Sequence, residues 1–131
     1  MSYTFDRTID MPFDAAIEHV TEALKAKGFG VLTTINVKDT LKKKLDADFR
    51  PYVILGACNP PLAFQALSQE RNIGAMLPCN VIVQAVNDDG SGGVMVSAID
   101  PVASMAAVDN PALGEIATRV QGMLRDLVES L

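Results

Sequence analysis

A chain of 131 residues is sized for one domain with its own core, at about 100–200 residues per domain, and 49% hydrophobic against 21% charged residues excludes intrinsic disorder. Sixteen acidic against eleven basic side chains leave a formal charge of −5, which repels a phosphate backbone and excludes nucleic acid as a first partner unless a basic patch is segregated. No apolar run approaches the roughly 20 residues needed to cross a bilayer, and the polar opening MSYTFDRTIDMP predicts neither a signal peptide nor a membrane partner, so a cytoplasmic protein is expected.

Residues 3–9, YTFDRTI, alternate Tyr3, Phe5 and Ile9 with Thr4, Asp6 and Thr8, the period of an edge strand with one wet face. Asp10 and Pro12 then open a helix in which Ala16, Ile17, Val20 and Leu24 recur at three- and four-residue spacing. Asp14 and Glu18 lie early in it and Lys25 and Lys27 late, the order the helix dipole favours, and Gly28 is the expected C-terminal cap. FGVLTTINV, residues 29–37, is β-branched enough for a second strand. Residues 38–49 hold one or two helical turns whose ends the pattern does not define.

PYVILGAC (51–58) and NVIVQAV (80–86) are the most apolar strand candidates. VMVSAI (94–99) follows the NDDGSGG turn, which is too short for a crossover, so the last two strands form an antiparallel hairpin. A further helix is expected over 61–70. The final helix starts at Asn110 as cap and Pro111 as first helical residue, and Leu113, Ile116, Val120, Leu124, Leu127 and Leu131 form its apolar stripe. The order predicts a two-layer α+β domain over 1–131 with a mostly antiparallel sheet. Residues 52–58 and 81–86 are apolar on both faces, so a second layer must cover them: either the helix at 61–70 or a second subunit, which the high apolar fraction favours.

Both cysteines occur in Cys-Asn steps, Cys58-Asn59 and Cys79-Asn80. Asn59 can cap a helix beginning Pro60-Pro61, which sets Cys58 at a strand end before the positive helix terminus, a setting that can lower a thiol pKa or hold an anion. The alternative is that Gly56, Ala57 and Cys58 are small because the backbone packs closely there. Cys79 starts the next strand. If the intervening helix joins antiparallel neighbours, the two cysteines meet at one sheet edge; a parallel crossover would separate them by the sheet's length. Asn59, Asn80 and Asp100, which follows a strand and precedes Pro101, could add polar contacts, or could only satisfy their own turns.

Neither a dinucleotide fingerprint nor a nucleoside-triphosphate loop is present, and the glycines of 90–93 suit a hairpin turn. A structural zinc site wants four ligands at close spacing, which a 21-residue gap and a lone His19 do not supply. A soft metal could recruit Met76 or Met105 with a cysteine, although methionines in an apolar chain mostly fill cores. Ser68, Ser97 and Ser104 stand in no nucleophile elbow. Lys42, Lys43 and Lys44, bracketed by Asp39 and Asp46, read as a solvated segment.

YVILGACNPPLAFQAL, then GAMLPCNVIV and DPVASM, closely resemble the DUF302 family over nearly the whole chain. Cys58-Asn59-Pro60 and Pro78-Cys79-Asn80 match its paired motifs and Asp100-Pro101 its Asp-Pro step, whereas 38–48 match least. The resemblance implies an α+β fold similar to one repeat of the TATA-binding protein, a helix inserted between the cysteine motifs, and dimers; it brings no established catalytic role or cofactor. Three functions compete: a homodimer that binds a small molecule or soft metal at Cys58 and Cys79, a thiol-dependent enzyme or redox protein using Cys58, and a structural dimerisation module with inert thiols.

Overall fold

The computed structural model describes residues 2–131. Five strands, β1 (Thr4–Ile9), β2 (Gly30–Asn36), β3 (Tyr52–Cys58), β4 (Cys79–Ala85) and β5 (Val94–Ile99), form one sheet in the order β1-β5-β4-β3-β2. Every neighbouring pair is antiparallel. Five helices accompany it: α1 (Phe13–Ala26), α2 (Val37–Leu45), α3 (Pro60–Gln69), the single turn α4 (Pro101–Ser104) and α5 (Pro111–Glu129). This is the two-layer α+β arrangement that the sequence pattern predicts.

Strand alternation sorts the sheet into two chemically different faces. The pairs Val53↔Val83, Leu55↔Val81, Val83↔Val96 and Val81↔Ala98 put the most buried strand residues on one inner face. Against them pack Ala16, Val20 and Leu24 of α1 and Leu124, Leu127 and Val128 of α5. Burying each large aliphatic side chain of this kind stabilises the fold by roughly 1.5–3 kcal/mol. The three- and four-residue spacing read from the sequence is therefore the spacing of the core, and α5 adds Ala117 and Val128 to its expected stripe. Arg7 on β1 donates from Nη1 to the Glu129 carbonyl, tying the edge strand to the end of α5.

The outer face carries Ile35, Ile54, Ile82, Tyr52 and Met95, which belong to neither buried cluster of the protein. Of the two coverings considered for this face, α3 is not the one. Leu62 of α3 joins the inner core, and Ala66 joins Ile73 and Leu113 in a second small cluster on the helical side.

Residues 37–45 form a nine-residue helix, longer than the sequence pattern defined. Its start is hidden in a β-branched run: Asn36 ends β2 and simultaneously caps α2, accepting a hydrogen bond from the Asp39 amide at 3.0 Å. The helix buries none of its residues. Gly28 adopts φ +87° just after α1, the left-handed conformation expected of its cap.

Candidate functional site

The site is built where β3 leaves the sheet and β4 enters it. Cys58 is the last residue of β3, and Asn59 caps α3 by accepting the Leu62 amide at 3.2 Å. Pro60 and Pro61 occupy the first helical positions, where a missing amide costs no hydrogen bond. The Asn59 side chain lies over Gly28; a Cβ on that glycine would come within 3.2 Å of Asn59 Nδ2. The backbone at Gly28 is thus bare on the side that receives the cap.

After α3 the chain makes a 3₁₀ turn, Ile73–Met76, and returns through Pro78 to Cys79. The antiparallel register sets Cys79 opposite Ala57. The antiparallel alternative of the sequence reading therefore holds, and both cysteines stand at one end of the sheet. Gly56 makes this junction tight: an added Cβ would clash with Thr33 Oγ1 and lie 2.8 Å from Pro78 Cγ.

Beside this junction is a cavity of about 40 Å³. Cys58, Asn59, Leu62, Pro78, Cys79 and Met105 border it, with α5 residues closing the far side. Burial pushes the Cys79 thiol up to about 11, and the neighbouring Cys58 adds to the rise. Cys79 is accordingly a neutral thiol at pH 7, with the polarity of a small apolar side chain. Neither cysteine is in a disulfide. Among the described residues no group of three or more His, Cys, Asp or Glu side chains could hold a metal ion, so a zinc site of the usual ligand set is not formed.

The other candidate residues are placed apart. Cys79 packs against the inner core, whereas Asn80 pairs with Gly56, points to the outer face and is exposed. Asp100 caps α4, accepting from the Val102 amide at 3.0 Å, and also receives Gln121 Nε2 at 3.1 and 3.2 Å. Its carboxylate is occupied in joining β5 to α5; the next residue, Pro101, is the one that borders the cavity. His19 lies with Nε2 3.3 Å from the Leu131 carbonyl oxygen, away from the cysteines' cavity. Phe29, Ile116 and Val120 are also on the cavity wall and carried no functional signal in the sequence, because a wall residue and a core residue obey the same periodicity.

An antiparallel five-stranded sheet with packed helices, and a thiol-bearing apolar cavity at the sheet end, defines a small two-layer α+β domain. The profile described as "Domain of unknown function DUF302" matches residues 5–131, and the chain belongs to that family. It is also similar to a solved structure, the crystal structure of the uncharacterized conserved protein DUF302 from Bacillus stearothermophilus, at 30% identity over 98% of each chain with a TM-score of 0.88. No functionally curated protein matches the chain.

Proposed function

We propose that this protein is a binding domain whose site is the cavity at Cys58 and Cys79, and that its occupant is a soft metal ion or a molecule of a few atoms. The observation that carries this reading is one apolar cavity bordered by both cysteine motifs. Size decides the class of occupant. Pockets for drug-sized ligands run to about 300–1,000 Å³, whereas this one is about 40 Å³. Soft cations accept thiolate and thioether sulfur, and Cys58, Cys79 and Met105 are the soft donors on its wall; ligation by Cys79 would have to displace its thiol proton, which makes binding weaken as pH falls. An enzyme acting through a Cys79 thiolate is disfavoured, since that thiol stays protonated well above neutral pH. Cys58 keeps its place as the candidate nucleophile in the enzyme reading.

We also propose that the protein works as a homodimer in a reducing compartment such as the cytoplasm. The 49% hydrophobic composition, the apolar outer sheet face and the unpaired thiols support that reading. Among the described residues, no helix is long and apolar enough to cross a membrane.

The burial of Cys79 favours a second reading, in which both thiols are inert packing groups. Native mass spectrometry of chelator-free protein separates the two. The binding reading expects an extra mass that Cys58→Ser and Cys79→Ser each remove. A clean apo mass, together with thiols that titrate only after denaturation, selects inert packing.

A further inference from the structure

We infer that Met105 sets the size limit of the cysteine cavity: its side chain is a yielding partition between that cavity and a larger surface groove, and it excludes neutral ligands that carry an alkyl chain. This inference names the specificity-determining residue of the site proposed above and rests on that reading.

The two spaces lie side by side. The groove has a volume of about 270 Å³ against about 40 Å³ for the cavity, and Val102, Ala106 and Gly114 border it. Cavity and groove have three wall residues in common, Met105, Leu113 and Ala117, so these side chains stand where the two spaces meet. Joined, the spaces would reach the lower end of the range that drug-sized ligands occupy, about 300–1,000 Å³.

Of the three shared residues, Met105 is the one that can yield. Leu113 is 2% exposed and packs with Ala66 and Ile73, and Ala117 presents a single methyl group; both are fixed on α5. Met105 is half-buried and packs at the edge of that same cluster. Its unbranched thioether chain has three rotatable bonds and adapts to the space it is given. The backbone that carries it is lightly held as well. Among the described residues, 101–109 hydrogen-bond only to one another and to the flanking Asp100 and Asn110. The segment is fastened at these two ends: Gln121 Nε2 donates to the Asp100 carboxylate, and Asn110 Nδ2 donates to the Gln69 carbonyl at 2.9 Å and to Glu70 Oε1 at 3.4 Å. Between the two clasps, side-chain packing alone keeps Met105 against the cavity.

The wall chemistry fixes the class of ligand that Met105 discriminates. No charged side chain borders either space, so a charged group passing from one to the other would lose its hydration without gaining a counter-ion. A neutral alkyl chain pays no such cost. There is room for it, since a Cβ added at Gly114 would meet no atom within 4 Å. With Met105 in place, that room is closed off from the thiols.

The test labels the folded full chain at about pH 8.5, where an ordinary thiol is half ionised, with methyl methanethiosulfonate and with hexyl methanethiosulfonate. Each reagent transfers its alkylthio group to a cysteine thiolate with methanesulfinate leaving, and peptide mass spectrometry assigns the product to Cys58 or Cys79. Dividing each rate by that of the same chain unfolded in urea removes the intrinsic difference between the reagents. In the wild type the hexyl reagent should be slower than the methyl reagent by roughly 10-fold or more, the scale on which a closed apolar pocket rejects surplus methylenes. Met105→Ala should abolish the discrimination, whereas Met105→Leu, which keeps the volume and removes the sulfur, should retain it. Met105→Val takes the place of Met105→Ala if far-UV circular dichroism shows the latter unfolded. Wild-type thiols that react with neither reagent until Met105→Ala exposes them support the same partition. A Met105→Ala protein that discriminates as the wild type does, a wild type that does not discriminate, or thiols inert in both proteins overturns the inference. The native mass measurement judges the binding reading separately. A bound mass without length discrimination overturns the partition alone; a clean apo mass, with discrimination that Met105→Ala abolishes, overturns binding and leaves the partition standing.

Discussion

Two excursions leave the sheet from adjacent strands, and each begins the same way: Asn36 accepts the Asp39 amide ahead of α2, and Asn59 accepts the Leu62 amide ahead of α3. From there they diverge. The helix VKDTLKKKL buries nothing and leaves Leu45 71% exposed at the edge of the fold. In PPLAFQALSQ, Leu62 and Ala66 are buried, one in each hydrophobic cluster, and the returning chain brings Cys79 back beside Cys58. An asparagine cap thus fixes where a helix starts, while the residues one and two turns later decide whether the helix becomes a wall. Only the second excursion encloses a cavity that carries both thiols.

The contrast can be broken most forcefully at Gly56, on the strand that feeds the α3 excursion. Gly56→Ala should cost about 3 kcal/mol, because its Cβ would have to displace Thr33 and Pro78 in a buried junction. Gly30→Ala, on the strand that feeds α2, has nothing within 4 Å of the new atom and should change stability by less than about 0.5 kcal/mol. Urea unfolding of the two variants measures the difference. Equal costs would show that the cysteine junction is no tighter than the exposed excursion.

The next effect is a pH dependence that belongs to one excursion alone. Cys79 ionises near 9.0 in an ordinary setting and near about 11 in the folded chain. The unfolded chain therefore gives up this proton first, so the contribution to stability is full below pH 9 and is lost as pH rises to about 11. The loss attributable to this group is about 2–3 kcal/mol. Chemical denaturation between pH 8 and pH 11 should show it, and Cys79→Ala should flatten that part of the curve. Persistence of the same slope in Cys79→Ala would assign it to other groups.

The smallest contrast lies between the caps themselves. Asn59→Ala should cost about 1–2 kcal/mol and Asn36→Ala about 0.5–1 kcal/mol, since a cap beside a packed helix has less solvent to replace it. Thermal denaturation of the pair orders them. A larger loss at Asn36 would mean that α2 contributes more to the fold than its exposed residues indicate.

Much of this was legible in the residues. The caps at Asn59 and Asn110, the α1 and α5 stripes and the hairpin before Val94 follow from local chemistry that acts within four residues. The α2 start was not, because Asn36 lies in a run whose β-branched neighbours favour a strand, and its capping role depends on where the helix turns away. Within the site, the meeting of Cys58 and Cys79 depended on one binary choice, antiparallel or parallel, which the structure resolves. The separation of Asn80 from Cys79 depends on register, and a repeated Cys-Asn dipeptide does not reveal that its members face opposite ways. The attachment of Asp100 to Gln121 spans 21 residues and has no local signature.

The strand order β1-β5-β4-β3-β2 also sets the order in which strand partners become available during synthesis. As the chain emerges during synthesis, β2, β3 and β4 can pair in succession, each with the strand before it, and the two cysteines are brought together once residue 85 is available. Thr4–Ile9, made first, has no neighbour until Val94–Ile99 arrives about ninety residues later. Closing that long loop carries the largest entropic cost of any strand pairing in the sheet. The oldest strand in the nascent chain therefore waits for the youngest before its one sheet pairing can form, whereas the thiol-bearing junction needs no strand beyond β4.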